Sequence, residues 1–309
     1  MPDAVLLLAH GTPDSADEIP EYLSHVTGGR EVPESVVEEV RHRFTLIGGS
    51  PLTPLTLQQG WLLERELRLP VYVGMRNWKP YIADVVRRMR SDGITRAVVI
   101  CLAPQNSRTS VGLYRRAVFA AAEGEIEVLF LDDWADHPLL ADAFAERLRA
   151  LRGPFAQDAG SPPPVLFTAH SVPCRTVLSA PQLDHHAAPA PPDPYPVEAK
   201  LTARLIAERV GLVPEEWFFA FQSQGMSGGP WLGPTVEDTL TALHQEGVRH
   251  LVIQPVGFLC DHVEILYDID IGFREYAAKL GIEMRRPASL NDSRLLTLAL
   301  SDLARHSLT

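Results

Sequence analysis

The residues best suited to chemistry gather where apolar runs stop. Val5-Leu-Leu-Leu-Ala9 gives way to His10, and Ala97-Val-Val-Ile-Cys-Leu102 is followed by Gln105, Asn106 and Ser107. In the second half, Pro164-Val-Leu-Phe-Thr168 leads to His170 and Ser171, and Trp217-Phe-Phe-Ala-Phe221 to Gln222, Ser223 and Gln224. His250-Leu-Val-Ile-Gln-Pro255 precedes Asp261, His262 and Glu264. In open α/β sheets, ligands bind beyond the carboxyl ends of the strands. Two lobes facing across a cleft would oppose His170 to Asp261-His-Val-Glu264. An imidazole facing a carboxylate can bind a divalent metal or transfer a proton. The same residues also suit a strand-end cap and an acidic helix start, since carboxylates favour helix N-termini. Spacing alone leaves both readings open.

Positioning these groups requires parallel strands. The runs above, with Val71-Tyr-Val-Gly74 and Glu127-Val-Leu-Phe-Leu131, have the continuous apolar character of strands buried on both faces. Tyr81 to Arg90 and Val236 to Gln245 carry apolar residues at helical spacing. Strand–helix alternation implies right-handed βαβ units, hence an α/β protein of two similar Rossmann-like lobes with parallel sheets flanked by helices. The halves repeat their landmarks in order. Ala9-His-Gly-Thr-Pro13 answers to Ala169-His-Ser-Val-Pro173, and Trp78-Lys-Pro80 to Trp231-Leu-Gly-Pro234. The Gly-, Ser- and Pro-rich stretch from Gly153 to Pro164 predicts the boundary, dividing the chain into 1–155 and 156–309. The final helix is expected to pack back on the first lobe. Cys174 to Pro196, long and proline-laden, predicts a lid or binding loop beside His170, with a disordered excursion as the alternative.

Composition narrows the function. The 309 residues include 28 Lys and Arg against 39 Asp and Glu, for a net charge of −11, without a basic block. Nucleic acid is therefore not expected as the main partner. No apolar run is long enough to span a bilayer, and the N-terminus enters a strand-like run with no signal-peptide pattern. Three isolated cysteines, Cys101, Cys174 and Cys260, support neither a disulfide framework nor a Cys-rich zinc site. A reduced, cytoplasmic chain is expected.

Seven segments together resemble ferrochelatase motifs. They are Ala9-His-Gly-Thr-Pro-Asp14, Ile47-Gly-Gly-Ser-Pro-Leu52, Gly74-Met-Arg-Asn-Trp78, Thr168-Ala-His-Ser-Val-Pro173, Phe221-Gln-Ser-Gln224, Pro230-Trp-Leu-Gly-Pro234 and the run from Pro255 to Asp268. The resemblance runs in order from about Val5 to Ser293. It implies insertion of ferrous iron into a porphyrin held in a cleft between the lobes. His170 matches the family's active-site histidine and Glu264 its facing carboxylate, both as catalytic and metal-binding groups. Asp261 and His262 are expected to orient Glu264. Gln222-Ser-Gln-Gly225, Trp231-Leu-Gly-Pro234 and Gly48-Gly-Ser50 are similar to the coproporphyrin III branch, where Arg43, Ser50 and Tyr114 align with carboxylate-contacting positions. Thr27 and Gly28, with Arg30 nearby, replace an arginine pair of some relatives. His10 stands where that branch carries a tyrosine, and is expected either to ligate product iron or to bond the turn Gly11-Thr12-Pro13.

The resemblance also implies what else to expect. No cofactor beyond the iron substrate is expected; no cysteine follows Cys260, so no iron–sulfur cluster is foreseen. Gly272 replaces a carboxylate of a secondary metal site in some relatives, leaving Asp268 alone. A monomer is expected, making transient contact with other haem-pathway enzymes. The alternatives are insertion into protoporphyrin IX, a cobalt chelatase, for which clustered histidines would be needed and His185-His186 lies in the loop, or a non-catalytic tetrapyrrole-binding protein.

Overall fold

The computed structural model describes residues 3–178, 191–224 and 228–308. Two parallel four-stranded sheets carry the fold. The first comprises β1 (Asp3–Ala9), β2 (Val71–Met75), β3 (Arg96–Cys101) and β4 (Glu127–Leu131), in the order β2-β1-β3-β4. The second comprises β5 (Val165–His170), β6 (Trp217–Gln222), β7 (His250–Pro255) and β8 (Glu283–Arg285), in the order β6-β5-β7-β8. The two orders are the same, so the repeated landmarks correspond to repeated topology. β1 and β5 are central strands, and Ala4 to Leu8 and Val165 to Phe167 are essentially inaccessible to solvent. That burial explains their unbroken apolar sequences.

Helices cover the sheets: α1 (Ile19–Thr27), α2 (Glu34–Leu46), α3 (Leu52–Leu67), α4 (Ile82–Ser91), α5 (Val111–Ala122) and α6 (Pro138–Ala159). They continue with α7 (Cys174–Val177), α8 (Tyr195–Val210) and α9 (Val236–Gln245). A π-helix over Glu264–Phe273 then runs into α10 (Arg274–Lys279), and α11 (Arg294–Leu308) follows. α4 buries Ile82, Val85, Val86 and Met89, one face at helical spacing. α9 starts where the Thr235 hydroxyl accepts the Asp238 N–H at 3.0 Å, with Glu237 and Asp238 in its first turn.

Two sequence expectations are corrected. The stretch from Gly153 is not irregular: α6 continues through Pro154 to Ala159 and stops at Gly160 with φ of 77°. Phe155 drives this, because its buried ring lies edge-on to His250 and beneath the Arg285 guanidinium. The 174–196 stretch is also partly regular, since it opens with α7 and closes in the first turn of α8. Its middle, including His185 and His186, lies outside the described residues. α6 packs on α8 and α11, and α11 returns to α3. One apolar core therefore joins both sheets, from Val5 and Leu7 to Phe167 and Val252.

Candidate active site

β5 ends in His170 and β1 is followed directly by His10, and both histidines line one cavity of about 380 Å³. His170 is the last residue of β5. Its Nδ1 contacts the Ser171 carbonyl, and its own carbonyl accepts the Tyr195 hydroxyl at 2.8 Å. Its Nε2 stands 3.5 Å from Oε1 of Glu264, the first residue of the π-helix. His262 Nε2 lies 3.8 Å from the other Glu264 oxygen, while its Nδ1 meets the Cys260 carbonyl at 3.1 Å. Both members of the central pair remain about a third exposed toward the cavity, His170 at 32% and Glu264 at 34%.

The pair tunes itself. Burial pulls the His170 pKa down, but the Glu264 carboxylate, through its charge and hydrogen bond, raises it above the ordinary value. Burial likewise pushes Glu264 up, yet His170 and His262 outweigh it and hold the carboxyl well below its usual range. Glu264 is thus an anion aimed at an imidazole, a donor pair for a borderline divalent metal. Among the described residues, no three His, Cys, Asp or Glu groups are arranged to hold a metal ion.

The opposite wall is built differently. Gly11, with φ of 83°, lets the chain turn after β1; an added Cβ would lie 2.9 Å from Trp78. His10 Nδ1 lies 3.1 Å from the Gly11 carbonyl and 3.2 Å from the Tyr22 hydroxyl, and Asn77 Nδ2 donates to its Nε2 at 2.9 Å. Burial, reinforced by the Arg76 charge, pushes its pKa down to about 4, so the ring is neutral. Both ring nitrogens are engaged. The Gly11 contact is that of the turn alternative, and ligation of iron would require the Asn77 bond to break.

The other expected site residues separate into two groups. Ser50 and Tyr114 line the cavity, and the buried Ser50 hydroxyl has no hydrogen-bond partner. Arg43 does not line it. Its guanidinium pairs with Glu39 at 2.7 Å and Asp268 at 3.5 Å, and lies over the Tyr267 ring. Asp261 is also outside the lining. Its carboxylate accepts Ser289 at 2.7 Å and Asn291 at 2.9 Å, so it steadies the loop before Glu264 without touching that residue. Arg76 was not singled out from sequence. It lines the cavity over the Tyr114 ring, with its buried Nε unpartnered, and is the one Arg or Lys in the lining among the described residues. The signal was available: Arg76 directly follows β2, where the strand-end rule places ligand contacts.

Two like lobes around a cleft bearing a His–Glu pair define a chelatase-type protein. Solved structures bear out the fold: iron-bound SirB from Bacillus subtilis superposes with a TM-score of 0.59 at 12% identity, covering 99% of this chain and 96% of that one. CbiX, described as the terminal enzyme for siroheme biosynthesis in denitrifying bacteria, gives 0.52 at 13% identity over 99% and 100%. The ferrochelatase family model matches residues 2–308. A protein from Acidobacterium capsulatum named ferrochelatase is 71% identical over 309 residues, covering 99% of this chain and 94% of the relative. A coproporphyrin III ferrochelatase from Geobacillus sp. is 34% identical over 93% and 92% of the two chains. The chain belongs to the ferrochelatase family and is an enzyme that inserts metal into a porphyrin. No helix among the described residues is long and apolar enough to cross a membrane.

Proposed function

We propose that this ferrochelatase inserts ferrous iron into coproporphyrin III, giving coprohaem, with His170 and Glu264 as the reacting pair. The observation that carries the site assignment is the 3.5 Å approach of His170 Nε2 to a Glu264 carboxylate inside the shared cavity. Metallation must remove two pyrrole protons and strip water from iron. The carboxylate attracts the hydrated dication, and the imidazole offers a nitrogen for metal or proton. His262 holds the second Glu264 oxygen, keeping the first directed at His170.

Coproporphyrin III carries four carboxylates where protoporphyrin IX carries two, so its cavity needs more donors. The unpartnered Ser50 hydroxyl, the Arg76 guanidinium and Tyr114 support that choice, as does similarity to coproporphyrin III ferrochelatases. Arg43 joins them on substrate binding by leaving Asp268. The enzyme acts in the cytoplasm as a monomer without a resident cofactor. Anaerobic ferrous insertion assayed on both porphyrins side by side tests the proposal. Higher kcat/KM for coproporphyrin III is expected, and preference for protoporphyrin IX would reverse the assignment.

A further inference from the structure

The loop that presents Glu264 is bonded at two points by Asn291, a residue that the reaction itself does not use. Asn291 lies just before α11 with φ of 45°, the left-handed region that asparagine tolerates better than most residues. Its N–H donates to the Leu259 carbonyl at 2.9 Å. Its Oδ1 accepts the Asp261 N–H at 2.9 Å, and its Nδ2 donates to the Asp261 carboxylate at 2.9 Å. Its own carbonyl accepts Nε2 of Gln59, a buried residue of α3 in the first lobe, at 2.7 Å. Asn291 therefore holds both ends of the 259–261 segment and is itself held from the other lobe.

Neighbouring bonds make the anchorage rigid. Ser289 donates to the other Asp261 oxygen at 2.7 Å, and Arg286 approaches it at 3.3 Å. Arg286 also grips Asp270 of the π-helix through two bonds of 2.7 Å. The 286–291 strap thus brackets Glu264, fastening the loop before it and the helix after it. Fastening the chain on both sides of Glu264 restricts how far that residue can shift relative to His170.

We infer that Asn291 is a positioning residue for the metal side of the reaction: by bonding Leu259 and Asp261 it sets where Glu264 and His262 stand relative to His170. This rests on the assignment of Glu264 to the reacting pair. Asn291→Asp keeps the shape but opposes two carboxylates at the Asp261 contact. Asn291→Gly keeps the left-handed backbone and the Leu259 bond while deleting both side-chain bonds. The reciprocal Asp261→Asn/Asn291→Asp restores one amide facing one carboxylate, with Ser289 still able to donate to residue 261.

The experiment measures kcat and the KM for ferrous iron, the porphyrin Kd and the thermal midpoint for these variants, beside Glu264→Gln. Each Asn291 single variant is expected to lose about tenfold or more in kcat/KM for iron. Porphyrin Kd should stay within about twofold, and the reciprocal pair should recover most of the loss. Unchanged iron kinetics in both single variants, or a reciprocal pair no better than Asn291→Asp, would overturn the inference. An active Glu264→Gln would instead show that the site assignment had failed.

Discussion

The two lobes place a histidine at the same point of the same topology and give it opposite chemistry. His170 faces a carboxylate, its pKa is raised, and it is open to the cavity. His10 is wrapped by the Gly11 carbonyl, Tyr22 and Asn77, and burial with the nearby Arg76 charge lowers its pKa to about 4. Strand position therefore delivers an imidazole to the cleft, whereas the partners decide whether it is poised to react or set as a neutral wall. One lobe thus offers the cleft an imidazole paired with a carboxylate, and the other a neutral imidazole bonded at both nitrogens.

The largest expected effect is at Glu264. Glu264→Gln retains the shape and removes the charge, so turnover should fall by about 10²- to 10⁴-fold while porphyrin still binds. A rise in KM alone would make Glu264 a binding group instead. Next in size is the first lobe's hold on substrate. Ser50→Ala and Arg76→Leu should each raise the porphyrin KM by about tenfold, with kcat little changed, each removing one hydrogen-bonding or charged contact. Equal KM values across variants would remove these residues from carboxylate binding.

The smaller effects sharpen the contrast. Asn77→Ala frees His10 Nε2, and the product complex should then gain imidazole-type haem absorption, since imidazole is a good haem ligand. An unchanged spectrum would leave His10 a turn-bound wall. The two ring resonances should also titrate apart. In the free enzyme His170 should protonate above the ordinary histidine value, and His10 should remain neutral down to about 4. Removing the carboxylate in Glu264→Gln should move the His170 titration to lower pH, because the anion is what raises it. No movement would mean that another group sets the His170 pKa.

Seven strands were legible because each is a short apolar run. β8 was not, since Glu283-Met-Arg285 is a three-residue edge strand with little apolar signal. The Gly153–Pro164 stretch read as irregular, yet Phe155, buried between His250 and Arg285, carries the helix on to Ala159, a tertiary effect invisible to local punctuation. Strand ends set His170 opposite the Asp261–Glu264 segment, and the family resemblance picked Glu264 out of it. The bonds of Asn77 to His10, Asn291 to Asp261 and Arg43 to Asp268 join residues far apart in the chain, and no spacing rule forecasts them. Alignment matches Arg43 to a carboxylate-contacting position but does not reveal its pairing with Glu39 and Asp268.

The two equivalent histidines are expected to contribute unequally to metallation. Anaerobic single-turnover metallation of bound porphyrin by ferrous iron, comparing His170→Ala with His10→Ala, tests it most directly. The His170 variant should lose about 10²-fold or more in rate, and the His10 variant less than about tenfold. Comparable losses in the two variants, both folded and both binding porphyrin, would contradict the division of labour between the lobes.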